Sequence, residues 1–145
     1  PLRVVFTKSL DLPSKSNLWD CNKAKTIVIY DSSTANENYL SRIPECVEVE
    51  KVSSDNPELI SKILAKRGCN KVLWECGPRL ATAAIQSNCI QEIITFIAPK
   101  ILGGENSMNP FGDFKFEEMH EIIKLSDSQF NLVGNDMCFK SRLEN

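Results

Sequence analysis

Apolar residues in this chain fall into short strand-length runs separated by stretches of helical period. Residues 3–7 (Arg3, Val4, Val5, Phe6, Thr7) and 26–30 (Thr26, Ile27, Val28, Ile29, Tyr30) concentrate branched and aromatic side chains as buried strands do. Residues 9–22, with Pro13 and few periodic apolar positions, read as irregular. Asp31, Ser32 and Ser33 form a turn that would cap a short helix running through Tyr39 and Leu40. Residues 47–52 alternate Val47, Glu48, Val49 and Glu50, the pattern of a half-exposed strand at a sheet edge. A helix is then well signalled. Asn56 is a good N-cap, Pro57 suits the first position, Leu59, Ile60, Ile63 and Leu64 share one face, and Gly68 ends it.

The densest pattern lies at residues 71–81. Val72, Leu73 and Trp74 predict a buried strand, Gly77 and Pro78 a turn into a helix, and Leu80, Ala81, Ala84 and Ile85 the apolar face of that helix, which ends near Asn88. Gly77 is read as a residue able to take backbone angles closed to others. Backbone N–H groups at such a helix start, with the helix dipole, attract a phosphate. Glu75, at the strand's end, would aim its carboxylate at whatever binds there. The spacing is neither a Walker loop nor a GxGxxG fingerprint, so a purely structural turn explains these residues as well. Residues 92–97 predict another buried strand closed by Ala98, Pro99 and Lys100, and Gly103 and Gly104 open a long polar loop reaching about Met119. Two strands, at residues 121–127 and 137–142, end the chain around a turn at Gly134 and Asn135. Trp74 and Phe96 are expected in the core, and His120, among Glu117, Glu118 and Glu121, on the surface.

Strands alternating with helices, then two consecutive strands, predict an α/β fold with a mostly parallel sheet and antiparallel C-terminal strands. Ligands in such sheets bind beyond the carboxyl ends of strands, here marked by Thr7, Asp31, Glu75 and Lys100. Asp31 is read either as a cofactor-ribose contact or as a helix cap. The 145 residues suit one domain, 1–145. A net charge of −2 without a basic run argues against nucleic acid as partner, and no apolar run approaches a membrane span. No signal peptide is visible, so a soluble cytoplasmic protein is expected. The six cysteines (Cys21, Cys46, Cys69, Cys76, Cys89, Cys138) are irregularly spaced and accompany a single histidine, so neither a metal site nor a histidine triad is expected. Free, mostly buried thiols are the expected state.

Trp74-Glu75-Cys76-Gly77-Pro78-Arg79-Leu80-Ala81, the Ile90-Gln91-Glu92 step, and Ile97-Ala98-Pro99-Lys100-Ile101-Leu102-Gly103-Gly104 together resemble a known family. It is the reductase (RibD C-terminal) domain of the bifunctional riboflavin-biosynthesis deaminase/reductase, which has a three-layer dihydrofolate-reductase-like fold. The opening Pro1-Leu2-Arg3-Val4-Val5-Phe6 and the Asn135-Asp136 turn extend the likeness along the whole chain. The resemblance implies an NADPH-dependent reduction of 5-amino-6-(5-phosphoribosylamino)uracil to its ribitylamino product. It implies that Gly77, Pro78, Arg79, Leu80, Ala81, Thr82 and Ala83 receive the cofactor's phosphates, and that Glu75 is the catalytic and substrate-binding acid. Arg79 is a candidate for the 2′-phosphate, and Lys100, Gly103 and Gly104 are further candidate contacts. A homodimer is implied, as is a deaminase domain upstream in the parent protein.

Two departures from the family pattern are visible. Cys76 stands where glycine or alanine is usual. The chain also opens on Pro1 rather than methionine, at a point where the family already has a first strand and helix, a glycine-threonine loop and the residues that hold the substrate's phosphate. The sequence thus reads as the cofactor-side half of a site. Three rival readings follow: an inert assembly module of the same fold, a related reductase acting on another pteridine or pyrimidine, and a redox-sensing thiol protein built on Cys76.

Overall fold

In a computed structural model, every residue except Glu105, Asn106, Met108 and Asn145 is described. Contacts group the chain into two units, Pro1–Ile63 and Leu64–Asn145, with the division falling inside a helix.

The first unit is built on a parallel sheet of β1 (Arg3–Thr7), β2 (Thr26–Asp31) and β3 (Glu48–Val52), in the order β1-β2-β3. All six residues of the central strand are buried. Val28 aligns with Val5 on one side and Val49 on the other. Val28 and Tyr30 join Leu10 and Val47 in a buried cluster flanked by Val5, Leu12, Trp19, Tyr39, Leu40 and Ile43. Burying one such side chain contributes roughly 1.5–3 kcal/mol. The expected edge strand is present, since β3 pairs only with β2 and leaves Val49 40% exposed.

Parallel strands need crossovers, and here those are loops carrying short 3₁₀ helices, one turn at Asn17–Trp19 and two at Glu37–Arg42. A loop of this kind must satisfy its own carbonyls. Arg3 does so for the first crossover: its guanidinium donates to the carbonyls of Asn17 (2.6 Å), Ala24 (2.7 Å) and Asp20. Thr26 adds a bond from its hydroxyl to the Leu18 carbonyl at 3.0 Å. In the second crossover the helix cap is Asn36, whose side chain accepts from the Asn38 N–H, rather than the expected Asp31–Ser33 turn. Asp31 is instead buried and closes a local turn, accepting from the N–H (2.9 Å) and hydroxyl (2.7 Å) of Ser33. The Tyr30 hydroxyl donates to Glu37 at 3.0 Å, and the Lys51 ammonium reaches the same carboxylate oxygen at 2.8 Å.

The expectation of six free thiols is corrected by a disulfide between Cys21 and Cys46, whose Cα atoms lie 6.3 Å apart. Cys21 packs against the cluster under the crossovers. Proximity across 25 residues is a tertiary fact with no trace in the spacing. Among the described residues Cys69, Cys76, Cys89 and Cys138 are free.

Helix α1 (Pro57–Lys66) matches its signals: the Asn56 side chain accepts from the Glu58 N–H at 2.9 Å, and Gly68 follows in the left-handed region at φ +81°. Pro57, Ile60 and Leu64 are its buried positions.

The second unit holds α2 (Pro78–Gln86) and an antiparallel sheet of β4 (Glu92–Ile97), β5 (Leu125–Val133) and β6 (Asp136–Leu143), ordered β4-β6-β5. The hairpin turns at Gly134 and Asn135 as expected, but β5 lies several residues beyond the expected 121–127. Its start is irregular, with a register shift between Ser126 and Gln129 and Asp127 at φ +52°. Two further expectations fail. Residues 72–74 form no strand, and Leu73 is 76% exposed, because no described strand offers them a ladder. Phe96 is 58% exposed rather than core, since β4 is an edge strand, and Trp74 is only half-buried. Across this sheet Ile97, Met137 and Leu132 stand in register, all exposed, beside Phe130 and Phe139 with ring centres 5.0 Å apart. Among the described residues no helix is long and apolar enough to cross a membrane.

Two outcomes follow for the first unit. Arg3→Lys keeps the charge but loses the fork that reaches three carbonyls, and urea denaturation should show a loss of about 2 kcal/mol. Lys51 and Tyr30, by hydrogen bonding, hold the Glu37 carboxyl below its ordinary value of 4.5. That contribution is complete above the unfolded value and disappears as pH falls through the folded one. Glu37→Gln should therefore be less stable than the wild type at pH 7, with the gap in urea midpoints closing as the pH is lowered past 4.5 into the more acidic range.

Candidate functional site

Helix α2 starts without a side-chain cap. Gly77 is the N-cap and Pro78 follows at the first position, so neither supplies a side-chain acceptor to the first turn. The first intrahelical closure is Ala81 N–H to the Gly77 carbonyl at 3.0 Å. The donors of Arg79 and Leu80 thus stand at the positive end of the helix with no side chain capping them.

The role read for Gly77 needs correcting. Its φ is −71° and its ψ 169°, which any residue adopts, so backbone freedom is not why glycine fits here. What it offers is space: a Cβ built on it would meet nothing within 4 Å. The backbone is open to close approach from outside, as a phosphate cradle requires.

The expected site residues fall in one stretch around this corner. Glu75 is exposed two residues before Gly77, in irregular chain rather than at a strand end. Arg79 is exposed, and Leu80, Ala81 and Ala83 are half-buried. Thr82 is 6% exposed and its hydroxyl already has a partner, so it faces the protein rather than solvent. Lys100 is exposed beyond β4, and Gly103 and Gly104 have positive φ of +68° and +115°, which favours glycine. Burial pushes the Cys76 thiol up, opposite to the depressed value that a redox-sensing thiolate needs, and that rival reading loses its support.

Thr82's partner is a residue that the local pattern did not single out. The Gly112 N–H donates to the Thr82 hydroxyl at 2.8 Å and also lies 3.3 Å from the Pro78 carbonyl. A Cβ at 112 would sit 3.4 Å from the Thr82 oxygen and 3.6 Å from the Pro78 oxygen, in ordinary van der Waals contact, so the loop here lies directly against the first turns of α2. Thirty residues separate the partners, and nothing in the loop's composition foretells the contact.

Comparison with known proteins agrees with this architecture. The chain is 38% identical over 144 residues to riboflavin biosynthesis protein PYRR, chloroplastic, of Arabidopsis thaliana, covering 99% of this chain and 24% of that protein. It is 40% identical over 145 residues to riboflavin biosynthesis protein RibD of a Synechocystis strain, covering 99% of this chain and 39% of that one. The chain thus spans between about a quarter and two-fifths of these relatives' lengths. Among solved structures, a pyrimidine reductase-like protein of Corynebacterium diphtheriae superposes with a TM-score of 0.77 at 20% identity, covering all of this chain and 62% of that one. A deaminase/5-amino-6-(5-phosphoribosylamino)uracil reductase of Thermotoga maritima gives 0.68 at 20% identity, over 99% of this chain and 38% of that one. These likenesses carry the dihydrofolate-reductase-like fold. The family model described as RibD C-terminal domain matches residues 1–139, and the chain belongs to that family.

Proposed function

We propose that this chain serves as an NADPH-dependent reductase domain of riboflavin biosynthesis, converting 5-amino-6-(5-phosphoribosylamino)uracil to the ribitylamino compound. The observation that carries this reading is the uncapped start of α2 behind Gly77, open to a phosphate, with the exposed Glu75 carboxylate two residues away. Family membership points the same way. The residues fit the cofactor: Gly77 leaves room for its backbone to meet a phosphate oxygen, and Arg79 and Leu80 present N–H donors along the helix dipole. Arg79 supplies an exposed cation for a 2′-phosphate. Pro78, Ala81, Thr82 and Ala83 complete the turn, with Thr82 acting through its hold on Gly112 rather than by direct contact.

Bound NADPH would supply a hydride to the anomeric carbon, the ring C–O bond of the ribose opening and its oxygen taking a proton from water. The protein's part is binding, orientation and electrostatics. Glu75 accepts hydrogen bonds from ribose hydroxyls of the substrate and holds its negative charge where positive charge develops on the reacting carbon. In this reading the chain works as one domain in the cytoplasm, paired with a second copy and joined to a deaminase domain in its parent protein. The exposed row of Ile97, Met137 and Leu132 is the kind of face a homodimer covers.

A titration following nicotinamide fluorescence tests the reading. Wild type should bind NADPH saturably. Gly77→Val should fold normally, because its backbone angles are ordinary and its surroundings empty, yet bind at least tenfold more weakly. Glu75→Ala should bind NADPH as wild type does and lose substrate reduction. Equal NADPH affinity in wild type and Gly77→Val would overturn the assignment.

A further inference from the structure

The Cys21–Cys46 disulfide takes no part in the proposed reaction, and its setting is not that of a buried staple. Cys21 is half-buried and packs against the cluster of Leu10, Val28, Tyr30 and Val47, whereas Cys46 is exposed. One end of the bond is sheltered and the other is open to solvent. Cys21 belongs to the first crossover, in the stretch whose Asp20 and Ala24 carbonyls Arg3 holds. Cys46 belongs to the second, directly before the buried Val47. Both crossovers carry only short 3₁₀ helices, so the bond clamps two segments with little regular structure of their own. Two further contacts join these loops. The Thr34 hydroxyl donates to the Lys8 carbonyl at 2.9 Å, and Arg42 meets Asp11 at 3.8 Å with both side chains well exposed. An exposed ion pair of that kind contributes little.

In the cytoplasm, where the proposed function places this chain, thiols are kept reduced, and a disulfide is as a rule transient or redox-sensing. Cys69, Cys76, Cys89 and Cys138 are free, unlike the cysteines of a secreted domain stapled throughout. We propose that Cys21 and Cys46 form a thiol–disulfide exchange site, which a dithiol reductant opens at the exposed Cys46 to release the cover of β2. The inference rests on the cytoplasmic placement above and not on the cofactor. A thiolate of the dithiol attacks Cys46 Sγ, the Sγ–Sγ bond breaks, and Cys21 leaves as a thiolate that takes a proton from water. The reductant's second thiolate then attacks the reductant's own sulfur in the mixed disulfide, and Cys46 leaves and is protonated in turn. Two electrons and two protons have passed to the protein, and the dithiol departs as a disulfide. Once reduced, the crossovers are free to part while the ladders of β2 remain. Redox state thereby sets how far the loops over the first sheet open.

The test takes the whole chain, first treated with oxidised dithiothreitol, and uses reduced dithiothreitol as the probe. Samples are incubated natively with or without it, then unfolded and alkylated, and the labelled cysteines are mapped by mass spectrometry. Cys21 and Cys46 should be labelled only after the reductant. Trypsin should then cut at Lys15, Lys23 and Arg42, within the crossovers, about tenfold faster than in the oxidised chain, with circular dichroism unchanged. Reoxidation should restore the resistance. The double variant Cys21→Ser/Cys46→Ser should be cut at the reduced rate with or without dithiol. Oxidised glutathione should modify Cys46 in Cys21→Ser about tenfold faster than it modifies Cys21 in Cys46→Ser. A bond that yields only after unfolding in urea overturns the exchange site, as does labelling of both cysteines in the oxidised chain. Equal cleavage rates before and after reduction overturn the release of the cover, and equal glutathione rates overturn entry at Cys46. No arm involves NADPH, so each of these outcomes leaves the cofactor reading to its own titration.

Discussion

The first unit depends on burying one strand completely. Every residue of β2 is shielded from solvent, including the polar Thr26 and Asp31 at its ends. A parallel strand in the middle of a sheet can be buried this way only if its neighbours supply both hydrogen-bond ladders and the crossovers cover its face. The crossovers here have little regular structure of their own, so their carbonyls are satisfied by side chains brought from elsewhere. Arg3 satisfies three of them, from the adjacent strand. The Tyr30, Glu37 and Lys51 group ties the second crossover to β2 and β3, and the Cys21–Cys46 disulfide joins the two crossovers to one another. A few polar contacts thus order the loops that the apolar strand needs as its cover.

The second unit solves a different problem. Its antiparallel sheet needs no crossover, and its strands carry apolar side chains that remain exposed on one face. The proposed function turns on the corner at α2. Gly77 leaves the helix start bare, and the loop around Gly112 is fastened to the same turns of helix by a single well-placed donor. In the proposed function, binding rests on backbone N–H groups and small residues instead of on a cluster of charged side chains.

Much of this was legible before any coordinates. Helix α1 announced itself through Asn56, Pro57 and Gly68, and β1, β2 and α2 through runs and periods that depend on near neighbours alone. The motifs flanking Glu75 and Lys100 pointed to the family that the comparisons then established. The misreadings share a cause. Val72, Leu73 and Trp74 have strand composition, but composition cannot supply a partner ladder. Phe96 and its neighbours look like core, yet edge position leaves them in solvent. Strand β5 starts and ends later than its composition predicts because a register is set by the strand beside it.

The sequence by itself determined the local elements: helix starts and stops, the hairpin turn, the buried character of β2 and the bare glycine before Pro78. Each rests on interactions among residues a few positions apart, where dihedral preference and periodicity act directly. Tertiary structure alone decided the Cys21–Cys46 bond, the three-carbonyl grip of Arg3, the pin of Gly112 on Thr82, and which apolar runs found cover. Those join residues 14 to 30 positions apart, at separations where composition carries no register and only the folded path of the chain brings donor to acceptor.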